Sequence, residues 1–136
     1  MCHGTIAADS GRVDAPLRPF GSGRIGVDPE KGKPSLTEFE VRQRLEAFTL
    51  VAAYPRTGRR HQIRVHLYHL GHPIAGDPLY GDKSLQQTFS RMMLHAWKLS
   101  VTLASGRSCS IEAPVPESFT RVCGRFLPHG NARRGE

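Results

Sequence analysis

The feature that most constrains the fold is a change of hydrophobic period near the middle of the sequence. Over residues 36–54 apolar and polar residues alternate, which is typical of half-buried β-strands. A short break at residues 44–47 divides this segment and predicts an antiparallel hairpin with an irregular turn. Beyond Pro55 the period becomes helical. This change predicts an α+β fold, with a mixed or antiparallel sheet and flanking helices.

The helical pattern follows the hairpin directly. Ile63, Leu67 and Leu70 recur at i, i+4 and i+7, so they form one apolar stripe along a helix. The spacing predicts about three turns that begin at residues 57–58. Gly71 follows the stripe and is expected to end the helix in a left-handed conformation.

The remaining segments are more weakly patterned. Residues 1–35 are rich in glycine and proline and are expected to form a loop with one short strand. Residues 97–113 alternate around a Ser-Gly turn and predict a second hairpin. Phe119, Val122 and Phe126 lie at helical spacing and predict a final helix.

The charge balance suggests an anionic partner. Lys and Arg number 19 and Asp and Glu number 12, which gives a formal net charge of +7. Nucleic acid is the commonest partner of a basic domain, but Arg133 and Arg134 at the C-terminus fit a solvated tail equally well. No apolar run approaches the ~20 residues that span a bilayer, and the first residues lack a secretory pattern. The sequence therefore predicts no membrane association and a cytoplasmic location.

Residues 59–72 contain three arginines and four histidines, which raises the question of a metal site. His66 and His69 lie one helical turn apart and could share an ion. However, His61 and His66 are about 140° apart around a helix, and neither a His-Glu-x-x-His pattern nor a nearby cysteine is present. We therefore expect no metal here.

Two interpretations of the basic cluster remain open from the residues alone. Arg59, Arg60, His61 and Arg64 could form a phosphate-facing surface at the start of the helix, where backbone N–H groups add to the side-chain charge. Alternatively, the histidines make ordinary hydrogen bonds at a helix surface. Asp77 lies between Gly and Pro, a context in which an aspartate braces a turn.

Residues 57–82 read TGRRHQIRVHLYHLGHPIAGDPLYGD. This segment closely resembles the signature of the RluA-type family of RNA pseudouridine synthases, with Arg60 in place of the usual threonine. Residues 13–17, 32–37 and 94–99 agree with the same family in order and spacing. The resemblance covers nearly the whole chain.

The resemblance implies an isomerisation of uridine that uses no cofactor and no metal. In this family the target nucleotide is flipped from its stack, an aspartate attacks and the glycosidic C–N bond breaks, and a C–C bond then forms. The family places that aspartate in a His-Arg-Leu-Asp segment and a tyrosine after it, and this sequence contains neither. We therefore expect this chain alone to be inactive, which leaves its status as an enzyme uncertain.

The resemblance also implies roles for individual residues. Arg64 matches the arginine that pairs with the catalytic aspartate, keeps it ionised and orients it. Arg59, Arg60 and His61 are expected to contact phosphate or the flipped nucleotide, and Leu94 to line the uracil pocket. The implied partner is ribosomal or transfer RNA.

Residues 1–128 are thus expected to be the C-terminal portion of an incomplete synthase domain, followed by a disordered tail at residues 129–136. Two hypotheses follow: a synthase represented by an incomplete chain, and a non-catalytic RNA-binding remnant of the family. If the sheet is normally completed by a missing N-terminal half, an open edge and an apolar face are left uncovered. We then expect self-association or pairing with that half.

Overall fold

The computed structural model describes residues 1–126, which form eight strands and three α-helices. The strands are β1 (Cys2–His3), β2 (Ser10–Asp14), β3 (Leu17–Pro19), β4 (Ile25–Val27), β5 (Leu36–Leu45), β6 (Phe48–Pro55), β7 (Lys98–Thr102) and β8 (Ser108–Glu112). The helices are α1 (Gln62–His69), α2 (Lys83–Gln86) and α3 (Glu117–Arg125). The predicted tail at residues 129–136 lies outside the described residues.

The predicted first hairpin is confirmed and forms the centre of an antiparallel sheet with the strand order β1-β6-β5-β2. Its register ends at Leu45 opposite Phe48, so the turn is tighter than the predicted break at residues 44–47. Ala47 in this turn has a φ of 58°, and a bulge between Val41 and Gln43 shifts the register. The α+β fold with an antiparallel sheet and flanking helices is likewise confirmed.

The prediction of a loop with one short strand for residues 1–35 is wrong, because this segment forms β1 to β4. β1 and β2 are added to opposite edges of the central hairpin. β3 and β4 form a separate small hairpin, with Leu17 opposite Val27. Strands of two to five residues are too short to show a period, and the partners of β1 and β2 lie far away along the chain.

The predicted start of α1 at residues 57–58 is also wrong, because the helix begins at Gln62. His61, which precedes it, has a φ of 56°, so the chain cannot continue a right-handed helix through this residue. The predicted end is confirmed, since Gly71 has a φ of 86° and its N–H donates to the carbonyl of Tyr68. α1 thus has about two turns, and Arg59 and Arg60 lie in the loop before it.

A buried polar network attaches α1 to β5. The Thr37 hydroxyl lies 2.8 Å from Nδ1 of His66, whose Nε2 lies 2.9 Å from the Ala15 carbonyl. Because a carbonyl only accepts, Nε2 carries the proton, and Nδ1 accepts from Thr37. Gln62 donates to Thr37 and to the Leu36 carbonyl. Burial is the main cause that lowers the pKa of His66.

The second predicted hairpin is confirmed as β7–β8, but it is solvent-exposed along its whole length. Leu99 lies opposite Ile111, and Val101 lies opposite Cys109, so these side chains share one face of the hairpin. Leu99 and Ile111 are both 57% exposed. This exposed apolar face belongs to a separate two-stranded sheet, so the expectation of an uncovered face on the central sheet stays a prediction.

α3 confirms the predicted final helix and packs Phe119 into the core beneath the central sheet. Leu67 of α1 and Met93 belong to the same core. No helix among residues 1–126 is long and apolar enough to cross a membrane.

Because the pKa of His66 is lowered in the folded chain, His66 is protonated at a higher pH in the unfolded chain than in the folded chain. We expect the free energy of unfolding to fall as the pH is lowered below about 6.5, the ordinary pKa of histidine. Urea unfolding at a series of pH values measures this slope. His66→Gln should reduce the slope, and the matched variant His69→Gln, on the exposed side of α1, should reduce it less, because the His69 charge is a smaller cause of the lowered pKa than burial. Equal slopes in both variants would contradict the assignment.

Candidate nucleic-acid interface

The loop before α1 and the first turn of the helix border a groove of about 270 Å³. Four of the five sequence-predicted site residues line it together: Arg59, His61, Arg64 and Leu94. Arg60 does not line the groove; its Nη2 lies on the side of the β3–β4 turn, near Gly23. The remaining lining residues are Pro55, Thr57, Gly58, Gln62 and Ile63.

Gln62 determines the shape of the loop that carries the basic residues. Its Oε1 accepts from the Thr57 hydroxyl at 2.7 Å and from the Arg59 N–H at 3.0 Å. The Thr57 hydroxyl in turn accepts from the backbone N–H of Leu36 in β5. The loop is therefore attached to the sheet through partly buried hydrogen bonds, and Arg59 is held at the rim of the groove.

Arg59 and Arg60 bring positive charge that the protein does not neutralise. Both side chains are exposed, and within residues 1–126 neither forms an ion pair. Arg59 donates from Nε to the Pro34 carbonyl at 3.2 Å, which leaves its terminal nitrogens free of that contact. Two unpaired guanidinium groups beside a groove favour an anionic ligand.

Arg64 forms a bidentate ion pair with Asp77. Nε and Nη2 each lie 2.8 Å from a carboxylate oxygen, and the side chains are 12% and 0% exposed. Asp77 also accepts from the backbone N–H groups of Leu79 and Tyr80, so it braces the turn as the sequence predicts. Burial would raise the pKa of Asp77, but the hydrogen bonds from Arg64 and the two amides outweigh it and lower that pKa.

The sequence does not reveal this ion pair. Arg64 and Asp77 are 13 residues apart, and neither residue alone indicates a partner. That Arg64 orients a different aspartate stays a prediction. Asp77 itself is fully enclosed and accepts four hydrogen bonds, which makes it unsuited to attack a ligand.

Tyr80 is a second residue that sequence reasoning missed. It is 1% exposed, and its hydroxyl accepts from the Ile25 N–H at 2.9 Å and lies 3.0 Å from Nδ1 of His61. The guanidinium of Arg64 lies 5.1 Å from the ring centroid, a cation–π distance. The signal available in the sequence was its position within the family signature.

His61 is arranged as a neutral hydrogen-bonding group. Burial, together with the charges of Arg64 and Arg60, lowers its pKa. Nδ1 of His61 pairs with the Tyr80 hydroxyl, which also accepts from the Ile25 N–H, so Nε2 is the ring nitrogen that faces a ligand. His61 therefore offers Nε2 to the groove, on a ring whose lowered pKa favours the neutral form.

The groove contains no acidic side chain among its nine lining residues. Within residues 1–126, no group of three His, Cys, Asp or Glu side chains could hold a metal ion. Both ring nitrogens of His66, one of the two histidines considered for a metal, are occupied by Thr37 and Ala15.

Together the fold and the groove define an α+β protein with a basic, carboxylate-free groove suited to a polyanion. A family model described as RNA pseudouridylate synthase matches residues 5–69. The chain belongs to the RNA pseudouridine synthase family, and the resemblance to its RluA-type members is confirmed.

Curated relatives support this assignment. Ribosomal large subunit pseudouridine synthase D of Nitrosomonas europaea is 39% identical over an alignment that covers 91% of this chain and 39% of the relative. Ribosomal large subunit pseudouridine synthase C of Escherichia coli is 43% identical, with 72% of this chain and 33% of the relative covered. The chain thus spans about a third to two fifths of these two relatives.

Solved structures agree with the fold. Human RNA Pseudouridylate Synthase Domain Containing 1 superimposes with a TM-score of 0.77 at 28% identity, over 94% of this chain and 57% of that chain. Human RNA Pseudouridylate Synthase Domain Containing 4 superimposes with a TM-score of 0.68 at 22% identity, over 91% of this chain and 59% of that chain, which shows the shared fold.

We expect Asp77→Asn to lower the free energy of unfolding by about 3 kcal/mol or more, because it leaves the Arg64 charge buried without its partner. The asparagine oxygen can still accept from Leu79 and Tyr80, so the variant removes the negative charge together with the hydrogen bond from Nε of Arg64 to Oδ2. Asp14→Asn is the matched control, since its partner Arg12 is exposed and such pairs contribute little. Urea denaturation of both variants measures the difference. Equal midpoints would contradict the importance of the buried pair.

Proposed function

We propose that this chain forms the RNA-facing part of the active site of a pseudouridine synthase that isomerises uridine in ribosomal RNA. The observation that carries the proposal is the convergence of Arg59, His61, Arg64 and Leu94 on one groove. Ribosomal RNA is the substrate class because the curated relatives are named as ribosomal large subunit synthases.

The groove offers complementary chemistry for a flipped nucleotide. Arg59 provides an unpaired positive charge at the rim for a phosphate, and Arg60 adds a second outside the groove. His61 offers its Nε2 to a base or ribose. Leu94 and Ile63 supply apolar walls against which a base can lie.

The nucleophile is proposed to come from polypeptide outside the groove. The family resemblance implies an aspartate, and no lining residue is acidic. The Arg64 guanidinium retains Nη1 beyond its two bonds to Asp77 and is proposed to orient the incoming carboxylate. Arg59 is a competing candidate, since its only side-chain hydrogen bond among the described residues is to a backbone carbonyl.

The apolar face of β7–β8 is proposed to bind that polypeptide. A cavity of about 500 Å³ is lined mainly by apolar side chains of the central sheet, α1 and α3, and Trp97 and Val115, which flank the hairpin, also line it. Exposed apolar surface of this extent favours association with another chain or segment. The relatives contain more than twice as much polypeptide as the matched region, so a complementary part of the domain is the proposed occupant.

The same absence of an acidic group in the groove favours one alternative, a protein that binds RNA without chemistry. Both functions predict RNA binding, and they differ only in whether uridine is converted once a carboxylate is supplied.

We expect the purified chain to bind single-stranded RNA with an affinity that falls as salt rises. Replacing Arg59 or Arg60 with alanine should reduce the slope of log affinity against log salt by roughly 0.7 for each phosphate that the variant no longer neutralises. Arg12→Ala is the matched control, because Arg12 is exposed but already paired with Asp14. Fluorescence anisotropy at several salt concentrations measures the slopes. Absence of binding at low salt would overturn both functions.

We expect the chain alone to release no tritium from RNA labelled at carbon 5 of uridine, the position whose C–H bond is broken when the C–C bond forms. Addition of the unmatched N-terminal part of the Nitrosomonas europaea relative should restore release. Leu99→Lys on the apolar face should prevent the restoration without weakening RNA binding, because a charge there opposes docking.

Ser100→Lys, on the opposite face of the same strand, is the control for this experiment and should leave restoration intact. Tritium release by the chain alone would contradict an external nucleophile. RNA binding without release in the restored mixture would favour the non-catalytic alternative.

The competing occupant of the apolar face is a second copy of this chain, and light scattering distinguishes it from the proposed polypeptide. A dimer that Leu99→Lys dissociates would identify the second copy.

A further inference from the structure

A second cavity, of about 370 Å³, lies between the β3–β4 hairpin and the outer side of α1. We propose that it binds an unpaired base of the same RNA, next to the nucleotide in the groove. This inference rests on the proposed function, since it takes RNA as the ligand, but it concerns different residues. Cavities of this size commonly enclose small ligands.

The cavity has an apolar floor and two aromatic rims. Ile25, Val65 and Tyr80 are buried and form the floor. Phe20 and Tyr68 stand on opposite elements, the β3–β4 connection and α1, and each is 44% exposed. Exposed aromatic rings beside an apolar cleft are the arrangement with which proteins stack unpaired bases.

The Phe20 ring is held in place before any ligand arrives. The guanidinium of Arg18 lies 4.3 Å from its centroid. Gly26 lies directly beneath the ring, since a Cβ at this position would approach the ring carbon Cε2 to 2.7 Å. Tyr68 is likewise supported, with its ring 5.9 Å from that of Tyr80. Side chains that are already ordered lose little entropy on binding.

Positive charge favours a nucleotide over an apolar peptide. Arg24 lines the cavity, is exposed, and forms no ion pair within the described part of the chain. Its guanidinium lies 5.1 Å from the Tyr80 ring centroid, which holds the charge at the cavity. A phosphate can therefore meet Arg24 while its base enters between Phe20 and Tyr68.

The cavity and the groove share a wall made by Tyr80 and His61. Tyr80 lines the cavity, His61 lines the groove, and their hydrogen bond of 3.0 Å joins the two. Arg60 lies next to the β3–β4 turn, which borders the cavity. One strand of RNA can thus place neighbouring nucleotides in the two sites with its backbone along unpaired arginines.

The test compares a labelled single-stranded RNA octamer with a ribose-phosphate octamer that lacks bases. The full 136-residue chain should bind the RNA more tightly. Tyr68→Ala should reduce RNA affinity by roughly 5- to 150-fold, the usual effect of removing one stacking partner, and should leave binding of the base-free octamer unchanged. Tyr68→Phe, which keeps the ring, should retain RNA affinity.

Gly26→Ala provides an independent variant, because the added methyl displaces the Phe20 ring without removing it, and it should weaken RNA binding selectively as well. Tyr54→Ala is the control, since Tyr54 lines neither this cavity nor the groove. Circular dichroism verifies that the variants are folded.

Unchanged RNA affinity in Tyr68→Ala, with weaker binding in Arg59→Ala, would overturn the cavity as a base site and leave the proposed function standing. Equal weakening for RNA and the base-free octamer would also overturn it, because this would indicate a purely electrostatic interaction. Failure of the unaltered chain to bind either octamer would overturn the proposed function and this inference together.

Discussion

The ion pair between Arg64 and Asp77 is the interaction on which the site depends. It joins α1 to the turn that follows it, and the same carboxylate accepts the backbone N–H of Tyr80. Tyr80 is thereby placed between the groove and the second cavity, where its hydroxyl orients His61. A pair of opposite charges is stable in this buried position because each carboxylate oxygen accepts at least one hydrogen bond.

Gln62 attaches the loop that carries Arg59 and Arg60 to the central sheet. Gln62, itself buried, holds this loop through its side-chain oxygen and holds β5 through its side-chain nitrogen. The basic residues therefore lie on a rigid edge between sheet and helix, although they precede the helix. Unpaired positive charge on a rigid scaffold is suited to contacts with phosphate, whose geometry also requires fixed donors.

The proposed function connects two independent features of the molecule. The groove has binding groups but no carboxylate, and the β7–β8 hairpin has an apolar face but no partner within residues 1–126. Under the proposed function, further polypeptide would supply a carboxylate to the groove and a cover to the hairpin. The partial coverage of the relatives is consistent with this view.

The sequence by itself determined the elements that local period specifies: the central hairpin, the exposed hairpin, the end of α1 at Gly71 and the final helix. It also determined the family, through residues 57–82. Only the tertiary structure decided the four short strands before residue 28, the displaced start of α1 and the partner of Arg64, because each depends on contacts between distant residues. The two hairpins illustrate the reason most clearly. Alternation specifies that a strand has an apolar face, but only the fold decides whether that face is covered.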